Sequence, residues 1–284
     1  MFGEKQNQSV GAGAVALQSQ GDINIAGASP EHVNQMVRLF LEYNFPRVRE
    51  EARQAAEEHV NKLGETLKAT LVASASKIEP SKLANPDVQA TINAAVQASA
   101  RRGDDAHPEL LCSLIVERIS SGDTEFKDIV ISEAVSVVGR LTHAQIGYLS
   151  LAMFVTSMTL SGATSIADME PYAQAAYMAC GAGFALSQSQ RMYLAYVGAG
   201  SHNAFSGGDI YEKVMTQKYP NLGYTDAAEF KKAVEAGAPT LGRLFDAFSA
   251  ANGFSLTLTS VGHAIAIANL SRYLGPLDYS IWLN

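Results

Sequence analysis

Residues 108–158 read PELLCSLIVERISSGDTEFKDIVISEAVSVVGRLTHAQIGYLSLAMFVTSM, and the fold class follows from how this stretch divides. Three helix-sized units fall out of it: PELLCSLIVERISS, TEFKDIVISEAVSVVGRL and THAQIGYLSLAMFVTSM. Each opens on Pro, Asp or Thr, residue types that begin helices because they satisfy or dispense with the orphan N–H groups of the first turn. Each then repeats apolar side chains at three- and four-residue intervals, the rhythm of a helix with a buried face.

The same rhythm extends towards the C-terminus. Residues 166–200 continue it, loosened by Gly181, Gly183, Gly198 and Gly200. Shorter amphipathic helices are expected at 209–219, 226–236 and 239–250, separated by SGG, PNLG and AGAP turns. SLTLTSVGHAIAIANLSRYLG, residues 255–275, is apolar on most sides and is read as the central helix, before the tail DYSIWLN.

Towards the N-terminus, Asn85-Pro86-Asp87 opens a helix with Val88, Ile92 and Val96 inward, and RRGDDAH ends it. Ser29-Pro30-Glu31 supplies a cap, a first-turn proline and a first-turn acid, so the helical protein begins near residue 29. Val33, Met36, Val37, Phe40 and Leu41 then form a stripe, and Pro46 is expected to bend or break the helix. A long helix over 46–75 carries Val48, Ala52, Val60, Leu63, Leu67 and Leu71 between charged faces. Its small alanine knobs suit close packing against another helix, in this chain or a neighbour.

The opening stretch, QNQSVGAGAVALQSQGDINIAG at 6–27, is different. Val15, Leu17, Ile23 and Ile25 share one parity, and reflection about Gln20 pairs Leu17 with Ile23 and Val15 with Ile25 around a Ser19-Gln20-Gly21 turn. A hairpin is expected, with no other strong strand in the chain to extend it. Since a two-stranded hairpin is marginal alone, its partner is expected to be another copy. A finite β-assembly, open-ended cross-β stacking and a disordered tail all stay open.

The expected fold is therefore mainly α: a multi-helix, bundle-like protein with a short N-terminal β-hairpin. Three regions are expected: a self-association segment at 1–28, an amphipathic region at 29–102, and a compact all-α domain at 103–284. The boundary near 103 rests on charge. Residues 1–102 carry 11 basic and 11 acidic side chains, whereas 103–284 carry 10 and 17.

Composition narrows the function classes. A chain of 284 residues with 47% hydrophobic content can bury a large core. A net charge of -7 repels phosphate backbones at long range and argues against nucleic acid as the main partner. Cys112 and Cys180 are far apart, which gives neither a disulfide framework nor a cysteine metal cluster and fits a reducing cytoplasm. No signal peptide is expected, and the most apolar windows, 148–160 and 176–186, are shorter than the ~20 residues of a spanning helix.

Chemistry is sparse. GxxxxGK, GxGxxG between a strand and a helix, HExxH and GxSxG are all missing, and no two of the six histidines lie within four residues of each other. No catalytic, cofactor-binding or metal-binding residue is assigned. The GAG triplets at 11–13, 181–183 and 198–200 read as turns or close helix approaches. Glu50-Glu51 and Glu57-Glu58 read as a solvated helix face, and Asp104-Asp105 as acids favoured by the helix start at Pro108. Tyr172, Tyr177, Phe184, Tyr193 and Tyr196 read as core or interface aromatics. His107 and His202 in loops and His263 on the apolar last helix are the polar-site candidates, with a satisfied core histidine the bland reading of His263.

LLCSLIVERISSG, EAVSVVGRLTHAQIGYLSL and LTSVGHAIAIANLSRYLGPLDYSIWLN together resemble an uncharacterised bacterial family labelled after Legionella and Veillonella members. The opening NQSVGAGAVALQSQGDINIAG resembles a short segment of many bacterial proteins of unknown or defensive role. The resemblance covers most of the chain and carries over no catalytic residue. It implies an intracellular bacterial protein of accessory or phage-defence gene neighbourhoods. The expected function is then a non-enzymatic, self-associating helical sensor or scaffold of bacterial immunity, acting through protein contacts. Val15, Leu17, Ile23 and Ile25 of the hairpin and Val60, Leu63 and Leu67 of the long helix are the expected association residues. The alternative is a membrane-acting effector whose apolar helices engage lipid after activation, and a third reading is a cryptic nuclease. A homo-oligomer, and beyond it a partner protein, are the expected partners.

Overall fold

The computed structural model describes residues 30–120, 122, 124–203 and 206–283. The expected hairpin lies outside them. The chain divides into two compact units, Met1–Arg53 and Gln54–Asn284. The described part of the first is helical, the beginning of α1 (Pro30–Ala73). Helical backbone continues on both sides of Pro46, so the expected break does not occur. The proline forfeits one N–H bond, and the turns on either side hold the helix.

The second unit is mainly α. Its helices are α2 (Pro86–Arg102), α3 (Pro108–Arg118), α4 (Glu125–Val138), α5 (His143–Thr156), α6 (Glu170–Cys180), α7 (Gln188–Tyr196), α8 (Ile210–Lys213), α9 (Ala227–Gly237), α10 (Pro239–Ala250) and α11 (Ser260–Leu274), with the last residues of α1. The starts are written locally. Asn85 accepts from the Asp87 N–H, Thr124 from Lys127 and Asp226 from Glu229. Capping boxes close α5 (Thr142 with Gln145) and α7 (Ser187 with Gln190).

Helix α5 is the centre. Every residue from Gln145 to Met153 is buried, and α6, α10 and α11 pack around it. The close approach of α5 to the 3-10 turn that follows α6, Gly181–Gly183, is possible because Gly147 faces Gly183: a Cβ on Gly183 would collide with the backbone of Gly147 and Tyr148. Asn269 of α11 ties the three helices together, its amide donating to Ser150 Oγ at 2.9 Å and to the Ala179 carbonyl at 3.1 Å.

Two expectations change. The boundary near 103 falls inside the second unit, where α2 packs on α3 and α4. The Arg102 guanidinium donates to the Gly139 and Leu141 carbonyls, and the buried Arg118 pairs with Asp87 at 2.9 Å and Asp128 at 3.0 Å. These bonds bind the chain on both sides of residue 103. Second, strand structure exists away from the N-terminus: β1 (Gly200–His202) pairs antiparallel with β2 (Leu256–Leu258), matching Gly200 to Leu258 and His202 to Leu256. The last helix therefore starts later than expected, with Thr259 as its cap.

Candidate functional site

The three candidate histidines are not brought together. His107 sits between a 3-10 turn and α3 in a left-handed conformation, φ 59°. Its Nε2 donates to the Leu141 carbonyl at 3.1 Å, and its ring meets that of His143 edge-on at 4.3 Å. Burial pulls its pKa down to about 4, against the Leu141 bond, and the neighbouring His143 and Arg102 push the same way as burial. His107 is thus a neutral structural donor at neutral pH. His202 lies on β1, opposite Leu256.

His263 makes the more suggestive contact. Its Nδ1 is 2.9 Å from the Thr259 carbonyl, which only accepts, so Nδ1 carries the proton. The lone pair of Nε2 then faces Ser157 Oγ at 3.2 Å, and burial lowers the imidazole pKa. A hydroxyl on an imidazole lone pair is half of a nucleophile-base arrangement. Here the histidine is oriented by a carbonyl and the pair lines neither cavity described below. It joins the end of α5 to the first turn of α11, the satisfied core histidine of the bland reading.

Among the described residues, no group of three His, Cys, Asp or Glu side chains is placed to hold a metal ion. Cys112 and Cys180 are buried free thiols, and burial pushes both pKa values up, that of Cys112 to about 12.

A cavity of about 210 Å³ opens beside the C-terminal end of α5. Its walls are chiefly Phe154, Met158, Val214, Leu241, Phe245 and Leu277, with Tyr172 and Thr159 also contributing. Among the described residues, Lys218 is its one charged lining residue. Lys218 closes a π-helical turn, Val214–Lys218, that extends α8, and such turns recur at functional sites. Its Nζ donates to the Met158 carbonyl at 2.6 Å, and burial brings its pKa down to about 8. Next to it, the Tyr219 hydroxyl accepts the Leu160 N–H at 2.9 Å, and burial raises the phenol pKa. Lys218 was missed because one lysine in an amphipathic segment reads as surface. The π turn that rotates it inward has no sequence signature.

A second, more polar cleft of about 480 Å³ collects Arg101, Arg102, Arg140, Gln97 and Tyr193. Arg102 is committed to backbone carbonyls, while Arg101 and Arg140 are exposed.

The expected association residues divide. Val15, Leu17, Ile23 and Ile25 lie outside the described residues. Leu63 is 3% exposed within the core of its own chain, and Leu67 is half-buried and packs on that core. Val60 is half-buried. Among the described residues, α1 leaves Val33, Met36, Val37, Leu39 and Val48 exposed towards its start and Val72 at its end. At 3.6 residues per turn, Met36, Val33, Val37 and Val48 fall within an arc of about 120°. No described helix is long and apolar enough to cross a membrane.

No curated protein and no solved structure matches the chain. A family model does, over residues 27–227 and 221–283, which takes in both the middle and the closing stretches quoted above. The chain belongs to that family, which is named after a Veillonella parvula gene.

Proposed function

We propose that the protein is a non-enzymatic helical sensor or scaffold that self-associates through the exposed apolar stripe of α1. The carrying observation is that Val33, Met36, Val37 and Val48 are each 45–57% exposed and share one side of the helix. A soluble helix normally buries such a stripe, and a second copy of the same helix provides a matching one. The setting, bacterial defence against phage, draws on the resemblance of the opening stretch and of the Legionella-labelled relatives. In this reading the hairpin expected from the sequence at 9–26 is a second association element in addition to α1.

Light scattering after size exclusion tests the reading on the full chain. The wild type is expected to exceed the mass of one chain, and Val33→Ser, Met36→Gln and Val37→Ser together are expected to return it to one chain. A wild type that stays at one chain across concentrations refutes self-association. Substituting Leu17→Asp and Ile23→Asp separates the hairpin's contribution from that of α1. Flotation with anionic vesicles addresses the alternative, a membrane-acting effector. Protein that floats only when the α1 stripe is intact would transfer the stripe from a protein partner to lipid. A phage plaque assay with and without the gene tests the defence setting independently.

A further inference from the structure

We propose that the cavity beside α5 binds a small amphipathic carboxylate, an apolar chain or ring with one anionic head, its carboxylate on the Lys218 ammonium and its apolar part against Phe154, Leu241 and Phe245. The polar groups are the first argument. An ammonium has three N–H donors, and Lys218 commits one to the Met158 carbonyl. The Tyr219 oxygen accepts from Leu160 and its own proton is left to donate. Both residues line the cavity and are tied to the same stretch, Met158–Leu160, which places the two polar groups at the same end of it. Among the described residues no Asp or Glu lines it. An ammonium and a phenol at one end of a cavity with no acidic partner call for an anion.

The walls narrow the ligand further. One positive charge matches one negative charge, which suits a carboxylate and leaves a dianionic phosphate under-neutralised in an apolar setting. The remaining lining is aliphatic and aromatic, so a sugar or a peptide backbone would lose its hydration without replacement. The volume, about 210 Å³, exceeds the ~150 Å³ that suffices for benzene in an engineered apolar cavity. Burial of the lysine costs stability that no structural ion pair recovers, which is the pattern of a group kept for a ligand.

Calorimetric titration of the full chain with sodium octanoate, 1-octanol and octylamine tests the assignment. Octanoate is expected to bind at least about tenfold more tightly than octanol, the worth of one charge-assisted hydrogen bond away from water. Octylamine is expected to bind more weakly than either. Lys218→Met is expected to erase the octanoate advantage while leaving octanol affinity within about twofold, because only the head contact is lost. Equal affinity for octanoate and octanol, no binding of either, or an undiminished advantage in K218M would overturn the proposal. The octanoate-octanol comparison on the wild type needs no variant, so it stands even if K218M folds poorly.

Discussion

Lys218 makes a quantitative prediction about stability that is independent of any ligand. An unfolded lysine keeps its proton up to about pH 10.4. In the folded protein burial lets it go near pH 8. Between those values the unfolded chain binds more protons than the folded one, so stability rises with pH across that window. The burial penalty is fully present below about pH 8 and is relieved by about pH 10.5. At about 1.4 kcal/mol per tenfold, the gap is worth at most about 3 kcal/mol, and the residual hydration of a half-buried side chain reduces it to about 2 kcal/mol. Lys218→Met removes the titrating group and keeps the apolar stem. Tyr219, whose phenol pKa burial raises, is present in both proteins. Urea unfolding at pH 7 and pH 10.5 is the assay, with the slope m expected to be the same for both proteins. The wild type should gain about 2 kcal/mol relative to K218M on going to the higher pH. Parallel stability curves would mean that Lys218 is hydrated in solution and that the cavity is not the apolar site described.

Two further predictions address the core. Gly183→Ala places a methyl against the backbone of Gly147 and Tyr148 and is expected to cost more than about 2 kcal/mol, whereas Gly64→Ala, in open space on α1, should stabilise by roughly 0.5–1 kcal/mol; chemical denaturation of both variants checks the contrast, and similar effects at the two glycines would refute the close approach. Asn269→Leu keeps the branching of the side chain but adds bulk and leaves the Ala179 carbonyl without its donor, so a loss of at least about 1–3 kcal/mol is expected, read calorimetrically at roughly 2–4 °C of melting temperature per kcal/mol; an unchanged melting temperature would show that the bridge contributes nothing.

Helix positions were legible because their signals are local. The expected segments 226–236 and 239–250 match α9 (Ala227–Gly237) and α10 (Pro239–Ala250) to within a residue, since Asp226 caps one and Pro239 opens the other. Leu256-Thr257-Leu258 was absorbed into the last helix, because three alternating residues are too few to outweigh the apolar run behind them. The alternation and the Thr259 cap were both there to be read. Net charge reports on a helix surface and not on which segments pack together: Arg102 and Arg118 tie the chain on both sides of residue 103 through contacts that only folding creates. The histidines drew attention by residue type, yet two of the three are satisfied by backbone carbonyls and the ionisable group in the cavity is a lysine.

The position of that lysine follows from the end of α5. Helix C-termini expose carbonyls that the helix cannot satisfy, and their partial negative charge draws donors and cations. Here Ser157 N–H and Met158 N–H both return to the Met153 carbonyl, which leaves the carbonyls of Ser157 and Met158 pointing outward. The Trp282 indole approaches the first at 3.5 Å and Lys218 takes the second at 2.6 Å, while His263 engages the Ser157 hydroxyl. Three segments remote in sequence therefore meet on one helix end. Replacing the Lys218 amine by a methyl thioether leaves the Met158 carbonyl without its donor, whereas a carboxylate arriving in the cavity meets an ammonium that still has N–H groups to give. The same requirement that orders the end of α5 thus keeps a cation at the edge of an apolar cavity, so structural need and ligand recognition are separable only by ligands that differ in their heads alone.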